Sequence, residues 1–210
     1  MRIEEKFDQK LLVEGNDDQR VIWALCDRFK IHESFDVIDC EGISELLKEI
    51  PVRLKQSGIR TIGIIVDADS DISARWDKFK SIFDTLNYII PEELPVDGLV
   101  VRIIDQISIG IWIMPNNDIN GMLEDFISFL IPNDDRLLPI VKDHVSDIER
   151  KALNKYIPQH RSKAIIHSWL SLQEDPGIPM GQGITKRYLS IDEQICVSFI
   201  CWLNRLFNEK

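Results

Sequence analysis

The sequence lacks several features that would assign it to a common class of protein. No apolar run approaches the roughly 20 residues that a membrane-spanning helix requires. The N-terminal residues 1–6 are mostly charged and lack the apolar core of a signal peptide. The four cysteines show no CxxC spacing, which is typical of reduced thiols rather than of a metal site or a disulfide framework. We therefore expect a cytoplasmic protein with no membrane partner.

Other absences narrow the range of functions. No GxxxxGK[ST] sequence is present, so the chain has no P-loop ATPase site of its own. The formal net charge of -10 argues against a general nucleic-acid coat, which would need a basic face. The charge is uneven, however: residues 1–149 contain 16 Lys and Arg against 30 Asp and Glu, whereas residues 150–210 contain 9 against 5. The basic segment could supply a surface that faces phosphates.

The pattern of apolar residues predicts an α/β fold. Three short apolar runs alternate with three amphipathic stretches, which favours a parallel sheet with right-handed crossovers. We predict strands over residues 8–14, 35–40 and 60–66, and helices over residues 17–30, 44–56 and 72–86. Two further strands, over residues 98–103 and 107–114, could form an antiparallel hairpin.

The rest of the chain is predicted to be mostly helical. A helix should start near residue 121, and others should cover residues 135–156, 161–172 and 191–207. Residues 174–183 are rich in proline and glycine and are predicted to be a loop. We expect an α/β domain over residues 1–130 and a helical C-terminal extension, residues 131–210, packed on the same domain.

Carboxylates follow two of the predicted strands. Glu14 ends the first apolar run and Asp18 lies four residues later, while Asp67 and Asp69 follow the third strand. In open α/β sheets, ligands bind at the carboxyl ends of the strands. Buried acids at that edge need a positive partner, and Mg²⁺ or Mn²⁺ binds carboxylate oxygens while keeping waters for a phosphate substrate. The sequence therefore predicts a divalent-metal site at this edge.

Each of these signals alone has an ordinary explanation. A lone DxD is usually a solvated loop or a helix cap, and a Glu-Gly after a strand is often only a turn. Glu124 and Asp125 could complete a second metal site, but they could equally stabilise the N-terminus of their own helix. The basic residues of the C-terminal segment could contact nucleic acid or simply form a solvated helix face; the candidates are Lys151, Lys155 and Arg161.

These residues carry a resemblance to a known fold family. Glu14-Gly15 with Asp18, followed by Asp67-Ala68-Asp69, resembles the Toprim domain of topoisomerases, primases, small ribonucleases and overcoming-lysogenization-defect (OLD) nucleases. The resemblance covers roughly residues 8–114. A narrower resemblance, to small standalone prokaryotic Toprim-like proteins of undefined function, extends over nearly the whole chain; it rests on residues 110–117, 121–126, 169–170, 174–177 and 181–182.

The resemblance implies roles for the acids. In Toprim enzymes the glutamate that matches Glu14 is a general acid or base or a metal ligand, and the pair that matches Asp67 and Asp69 binds Mg²⁺. The OLD nucleases add an acid that matches Asp18.

The OLD nucleases also imply roles for residues later in the chain. Their further acids map to Glu124 and Asp125, and a downstream lysine that stabilises the transition state maps to Lys163. The expected function is a Mg²⁺- or Mn²⁺-dependent endonuclease that acts on DNA or RNA. Two alternatives stay open: a weakly catalytic or non-catalytic module that binds a partner such as the ATPase of a defence system, or a small-molecule phosphohydrolase. Formation of a homo-oligomer is also left open.

Overall fold

A five-stranded sheet forms the centre of the molecule. The computed structural model describes residues 5–209. The strands are β1 Gln9–Val13, β2 Asp36–Asp39, β3 Thr61–Asp67, β4 Leu99–Val101 and β5 Ser108–Met114. Their order is β2-β1-β3-β5-β4; β4 runs antiparallel to β5, and the other neighbours are parallel. This confirms the predicted fold class, with its mainly parallel sheet and antiparallel hairpin, and it is consistent with a Toprim-like fold.

Helices cover both faces of the sheet. They are α1 Asn16–Phe29, α2 Ile43–Arg53, α3 Ile72–Thr85, α4 Leu123–Phe129, α5 Leu137–Arg150, α6 Arg161–Leu170, α7 Met180–Thr185 and α8 Gln194–Phe207. One apolar cluster joins α2 and α3 to one face, and a larger one joins α1 and α4–α8 to the other. The inner strands are apolar on both sides because both sides are covered. The predicted domain boundary near residue 130 stays a prediction.

Two glycines allow the C-terminal helix to lie close to the sheet. Gly63 of β3 and Gly110 of β5 are paired in register. A Cβ atom on Gly63 would lie 2.7 Å from Leu11 Cδ1 and 2.8 Å from Phe207 Cζ, and one on Gly110 would overlap the side chain of Leu206. Leu206 and Phe207 of α8 are themselves buried, so they have little room to move. The missing side chains of the glycines are therefore part of the packing of α8.

We expect Gly110→Val to destabilise the protein by about 1–3 kcal/mol, because extra methyl groups in a filled core force neighbouring groups to shift. The free energy of unfolding from urea denaturation measures this effect. Ser108→Val is the matched control, since Ser108 begins the same strand but is only partly buried. Equal stability of Gly110→Val and the unmodified protein would contradict this account of α8.

Three of the sequence-based boundaries are wrong for reasons that the structure shows. The helix predicted over residues 135–156 ends at Arg150, because Ala152 adopts a left-handed conformation (φ 55°) and the amides of Ala152 and Leu153 donate to the carbonyls of Glu149 and Ile148. This is a Schellman end without the usual glycine. The helix predicted over residues 44–56 ends at Arg53, before Ser57 and Gly58.

The third error lies in the predicted loop over residues 174–183, where helix α7 begins at Met180. Gly181 in this helix serves close packing. A Cβ atom on Gly181 would lie 2.6 Å from the carbonyl oxygen of Arg20 in α1, so glycine lets α7 approach α1 closely.

Within residues 5–209, no helix is both long and apolar enough to cross a membrane. All four cysteines are unpaired; Cys40 and Cys196 are buried, Cys26 is partly buried and Cys201 is exposed.

Candidate metal centre

Two carboxylates meet at the carboxyl edge of the sheet. Glu14 directly follows β1, and Asp67 is the last residue of β3. The two strands are neighbours, and the Oε1 atom of Glu14 accepts a hydrogen bond of 2.8 Å from the backbone N–H of Asp67. The ends of the two strands are thereby held together by the acid itself.

Two helix N-termini bring further carboxylates to the same edge. Asp18, in the first turn of α1, is only 8% exposed, and its Oδ2 atom accepts from the N–H of Gly15 at 3.1 Å. Glu124, in the first turn of α4, is 3% exposed. Asp67 fixes the start of α4, because its Oδ1 atom accepts from the N–H of Leu123 at 2.9 Å. Glu14, Asp18, Asp67 and Glu124 are called the carboxylate cluster below.

Burial and neighbouring acids raise the pKa values of Asp18, Asp67 and Glu14. Burial, followed by the charges of Glu14 and Glu124, raises the pKa of Asp18 to about 7. Burial and the charges of Asp18, Glu14 and Glu124 raise the pKa of Asp67 well above its ordinary value. The pKa of Glu14 is also raised, because burial outweighs its bond to the Asp67 amide and the nearby charge of Arg75. Full ionisation of the cluster therefore costs free energy unless a cation is added.

Asp69 lies at the rim of the cluster. Its backbone forms a two-bond bridge with Gly121, with N···O distances of 2.8 and 2.9 Å, and its φ of 55° is left-handed. The side chain is 49% exposed, and its Oδ2 atom lies 2.7 Å from Nη2 of Arg75. The charge of Asp69 contributes to the raised pKa values of Asp67 and Glu14, so it acts on the same site.

Sequence reasoning missed Arg75. Its Nε atom donates to the carbonyl oxygen of Asp67 at 2.9 Å, so this arginine contacts both aspartates of the DxD segment. The sequence did contain a signal for Arg75. The residue lies one turn after the helix cap Asp71, where the positive end of the helix dipole disfavours a cation. An arginine at such a position is favourable only beside a compensating acid, and here that acid is Asp69.

Lys163 reaches the carboxylate cluster from α6. Its Nζ atom lies 3.3 Å from Oε1 of Glu124. Burial would lower the pKa of Lys163, but the charges of Glu124, Asp67 and Asp17 outweigh it and the pKa is raised. One helical turn later, Nε2 of His167 lies 3.9 Å from the same oxygen of Glu124.

Asp125 is not brought into the carboxylate cluster. Its Oδ2 atom accepts from the N–H of Met122 at 2.9 Å, and its Oδ1 atom accepts from the hydroxyl of Ser162. Both oxygens are therefore used to hold the start of α4 and to join it to α6.

The basic residues predicted to contact nucleic acid lie in the C-terminal segment, and two of the three pair with acids outside the carboxylate cluster. Lys151 is bound to Asp147, and Nε of Arg161 lies 3.0 Å from Glu149. Lys155 is exposed. Within the described part of the chain, no ion pair joins any of the three to the carboxylate cluster.

Comparison with known proteins identifies the family. Residues 8–208 match DUF3226, a family described as protein of unknown function. The chain belongs to the DUF3226 family. No curated protein matches this DUF3226 chain. Among solved structures it is similar to the C-terminal region of the OLD protein of Xanthomonas campestris pv. campestris, with a TM-score of 0.50, 14% sequence identity, and coverage of 95% of this chain and 94% of that chain. At this level of identity the likeness shows the fold alone.

The donor atoms of the DUF3226 site determine whether it could hold a metal ion. Within residues 5–209, no group of three or more His, Cys, Asp or Glu side chains is already arranged to hold one. One oxygen of each clustered carboxylate is engaged: by the Asp67 amide, the Gly15 amide, the Leu123 amide or Lys163. The other oxygen of each carboxylate accepts no hydrogen bond from another described residue. These four oxygens are not among the fully buried side-chain atoms that lack a partner. The cluster therefore contains carboxylate oxygens that no other described residue engages, and carboxylate oxygen is the donor type that Mg²⁺ and Mn²⁺ prefer.

Proposed function

We propose that this DUF3226 protein is a divalent-metal-dependent phosphodiesterase that cleaves nucleic acid, most simply as an endonuclease. The observation that carries the proposal is the carboxylate cluster, in which buried Asp18 and Glu124 meet partly buried Glu14 and Asp67. Ionising these acids together is costly without a cation. The resemblance of the Glu14 and DxD segments to Toprim nucleases supports it. The fold likeness to an OLD protein points in the same direction.

Five acids would form the metal site. Glu14, Asp18, Asp67, Asp69 and Glu124 would hold Mg²⁺ or Mn²⁺. Such an ion, when bound, polarises a phosphoryl oxygen and lowers the pKa of an attacking water.

Two side chains would act directly on the substrate. The Oε2 atom of Glu14, the oxygen not bound to the Asp67 amide, would take or give a proton, and its raised pKa suits that role. Lys163 would donate to the phosphoryl oxygens on which charge develops.

Asp125 would position Glu124 by fixing the start of α4. Lys151, Lys155 and Arg161 would contact backbone phosphates, the first and last after leaving their present acidic partners.

Two clefts in the described part of the chain are formed by residues outside the carboxylate cluster. A cleft of about 560 Å³ is lined by Trp23, Cys26 and Phe35 among others, and one of about 190 Å³ by Asp125, Lys142 and Arg161 among others. Neither cleft is lined by Glu14, Asp18 or Asp67. Neither therefore encloses the carboxylate cluster in the way that a metabolite pocket would.

A cleavage screen tests the proposed function. Single- and double-stranded DNA and RNA are incubated with the protein in Mg²⁺, in Mn²⁺ and in EDTA. We expect cleavage of at least one substrate with a divalent ion and none in EDTA. Folded protein that cleaves none of them with either ion would contradict the proposal.

Lys163→Gln should slow cleavage by about 10- to 100-fold at saturating metal, because a preorganised cation at the developing charge is lost. Turnover of a fluorescent oligonucleotide at several metal concentrations measures this effect. Lys48→Gln, an equal charge change at an exposed residue of α2, is the control and should retain full activity. Unchanged turnover of Lys163→Gln would remove Lys163 from the catalytic site.

A further inference from the structure

Arg75 is a cation built into the candidate metal centre. Its side chain is only 15% exposed, and its Nη2 atom lies 2.7 Å from Oδ2 of Asp69. Its Nε atom also donates to the backbone carbonyl of Asp67 at 2.9 Å. Two different groups of one guanidinium are thus bound to the two aspartates of the DxD segment.

The arrangement is fixed from both sides. Asp69 is held by its backbone bridge to Gly121, and α3 is held at its start by Asp71, whose side chain accepts from the Ala74 amide at 2.9 Å. Arg75 therefore extends from a capped helix to an anchored loop. This differs from an exposed i,i+4 pair, in which both side chains are mobile and contribute little.

We propose that Arg75 is a resident counter-cation that competes with the divalent ion for Asp69 and thereby sets the metal affinity of the site. The inference rests on the proposed function, because it assumes that Asp69 is a metal ligand. In the metal-free protein the guanidinium balances part of the acidic charge. A bound divalent ion would have to share Asp69 with Arg75 or displace it, and like charges within a few ångströms repel each other.

This role predicts two effects of opposite sign. Without metal, Arg75→Gln should lower the melting temperature, since Asp69 loses its bound cation and Glu14 loses a nearby one. With Mn²⁺, the same variant should show a larger rise in melting temperature than the unmodified protein, because metal binding to the native state stabilises it. A purely structural arginine would give only the first effect.

Calorimetric titration with Mn²⁺ alone measures the affinity. We expect Arg75→Gln to bind at least about tenfold more tightly than the unmodified protein, since a nearby unit charge is removed. In an Asp69→Asn background the same change should have little effect, because the competition is for that carboxylate. Arg28→Gln is the control: Arg28 is also partly buried and donates to the carbonyl of Ile184 at 2.6 Å, and its loss should leave the affinity unchanged.

The outcomes separate this inference from the proposed function. If Arg75→Gln binds Mn²⁺ no more tightly than the unmodified protein while Asp67→Asn loses binding, the metal site stands and the role of Arg75 is overturned. If neither the unmodified protein nor Arg75→Gln binds Mn²⁺ or Mg²⁺, the metal site is overturned together with this inference.

Discussion

Asp67→Asn is expected to abolish metal-dependent cleavage while the protein stays folded. Asp67 is the acid on which the charges of Asp18, Glu14 and Glu124 all act, so it lies at the centre of the carboxylate cluster. Asparagine keeps an Oδ1 acceptor for the Leu123 amide but removes the charge that a divalent ion needs. We expect a loss of at least about a thousandfold in turnover, which corresponds to about 4 kcal/mol of activation free energy.

The matched control is Asp77→Asn. Asp77 lies on α3 with its side chain 68% exposed and pairs with Lys80 at 2.9 Å, so the same chemical change there should leave cleavage intact. The melting temperature in EDTA shows whether each variant is folded. Cleavage by Asp67→Asn at the unmodified rate would overturn the assignment of the carboxylate cluster as a catalytic centre.

The position of the carboxylate cluster could be predicted because it follows from strand direction. Glu14 and Asp67 each end an apolar run, and the alternation of strands and helices makes those runs parallel. Parallel neighbours place their carboxyl ends at one edge, so two acids 53 residues apart had to come close. No knowledge of loops or side-chain rotamers was needed for this step.

Adjacent residues on one helix turn could not be distinguished in the same way. Glu124 and Asp125 both lie in the first turn of α4, and a helix turns by about 100° per residue, so only one of them can face a given site. The structure turns Glu124 toward Lys163 and Asp125 toward Ser162. That choice depends on how α4 packs on α6, which the local sequence does not specify.

Arg75 was missed for a related reason. Its partner Asp69 is six residues away across a loop with a left-handed residue, so no helical or strand spacing connects the two. The reach of Lys163 to Glu124 depends on the contact between α4 and α6 and could be stated beforehand only from the family resemblance.

Asp18→Asn is expected to stabilise the metal-free protein at pH 8 by up to about 4 kcal/mol, because a shift of one pKa unit corresponds to about 1.4 kcal/mol. The folded-state pKa of Asp18 is raised to about 7 from its ordinary 3.8, so the folded state favours the protonated acid. The stability that this proton contributes is fully present below about pH 4 and is lost as the pH rises through about 7. The asparagine side chain is neutral at every pH, so the Asp18→Asn variant keeps this stability at pH 8. Urea denaturation in EDTA between pH 4 and pH 8 measures the difference.

The neighbouring acid provides the control for this pH dependence. Asp17 lies in the same helix turn as Asp18 but is exposed, so Asp17→Asn should change the free energy of unfolding by no more than about 0.5 kcal/mol at any pH. In the Asp18→Asn variant the new amide oxygen can still accept from the Gly15 amide, so the helix cap is retained. If Asp18→Asn has no greater stability than the unmodified protein at pH 8, the buried acid is not costly to ionise, and the need for a cation at this edge of the sheet loses its physical basis. If Asp18→Asn is more stable than the unmodified protein in EDTA but not in saturating Mn²⁺, the bound metal supplies the free energy that ionising the buried Asp18 costs.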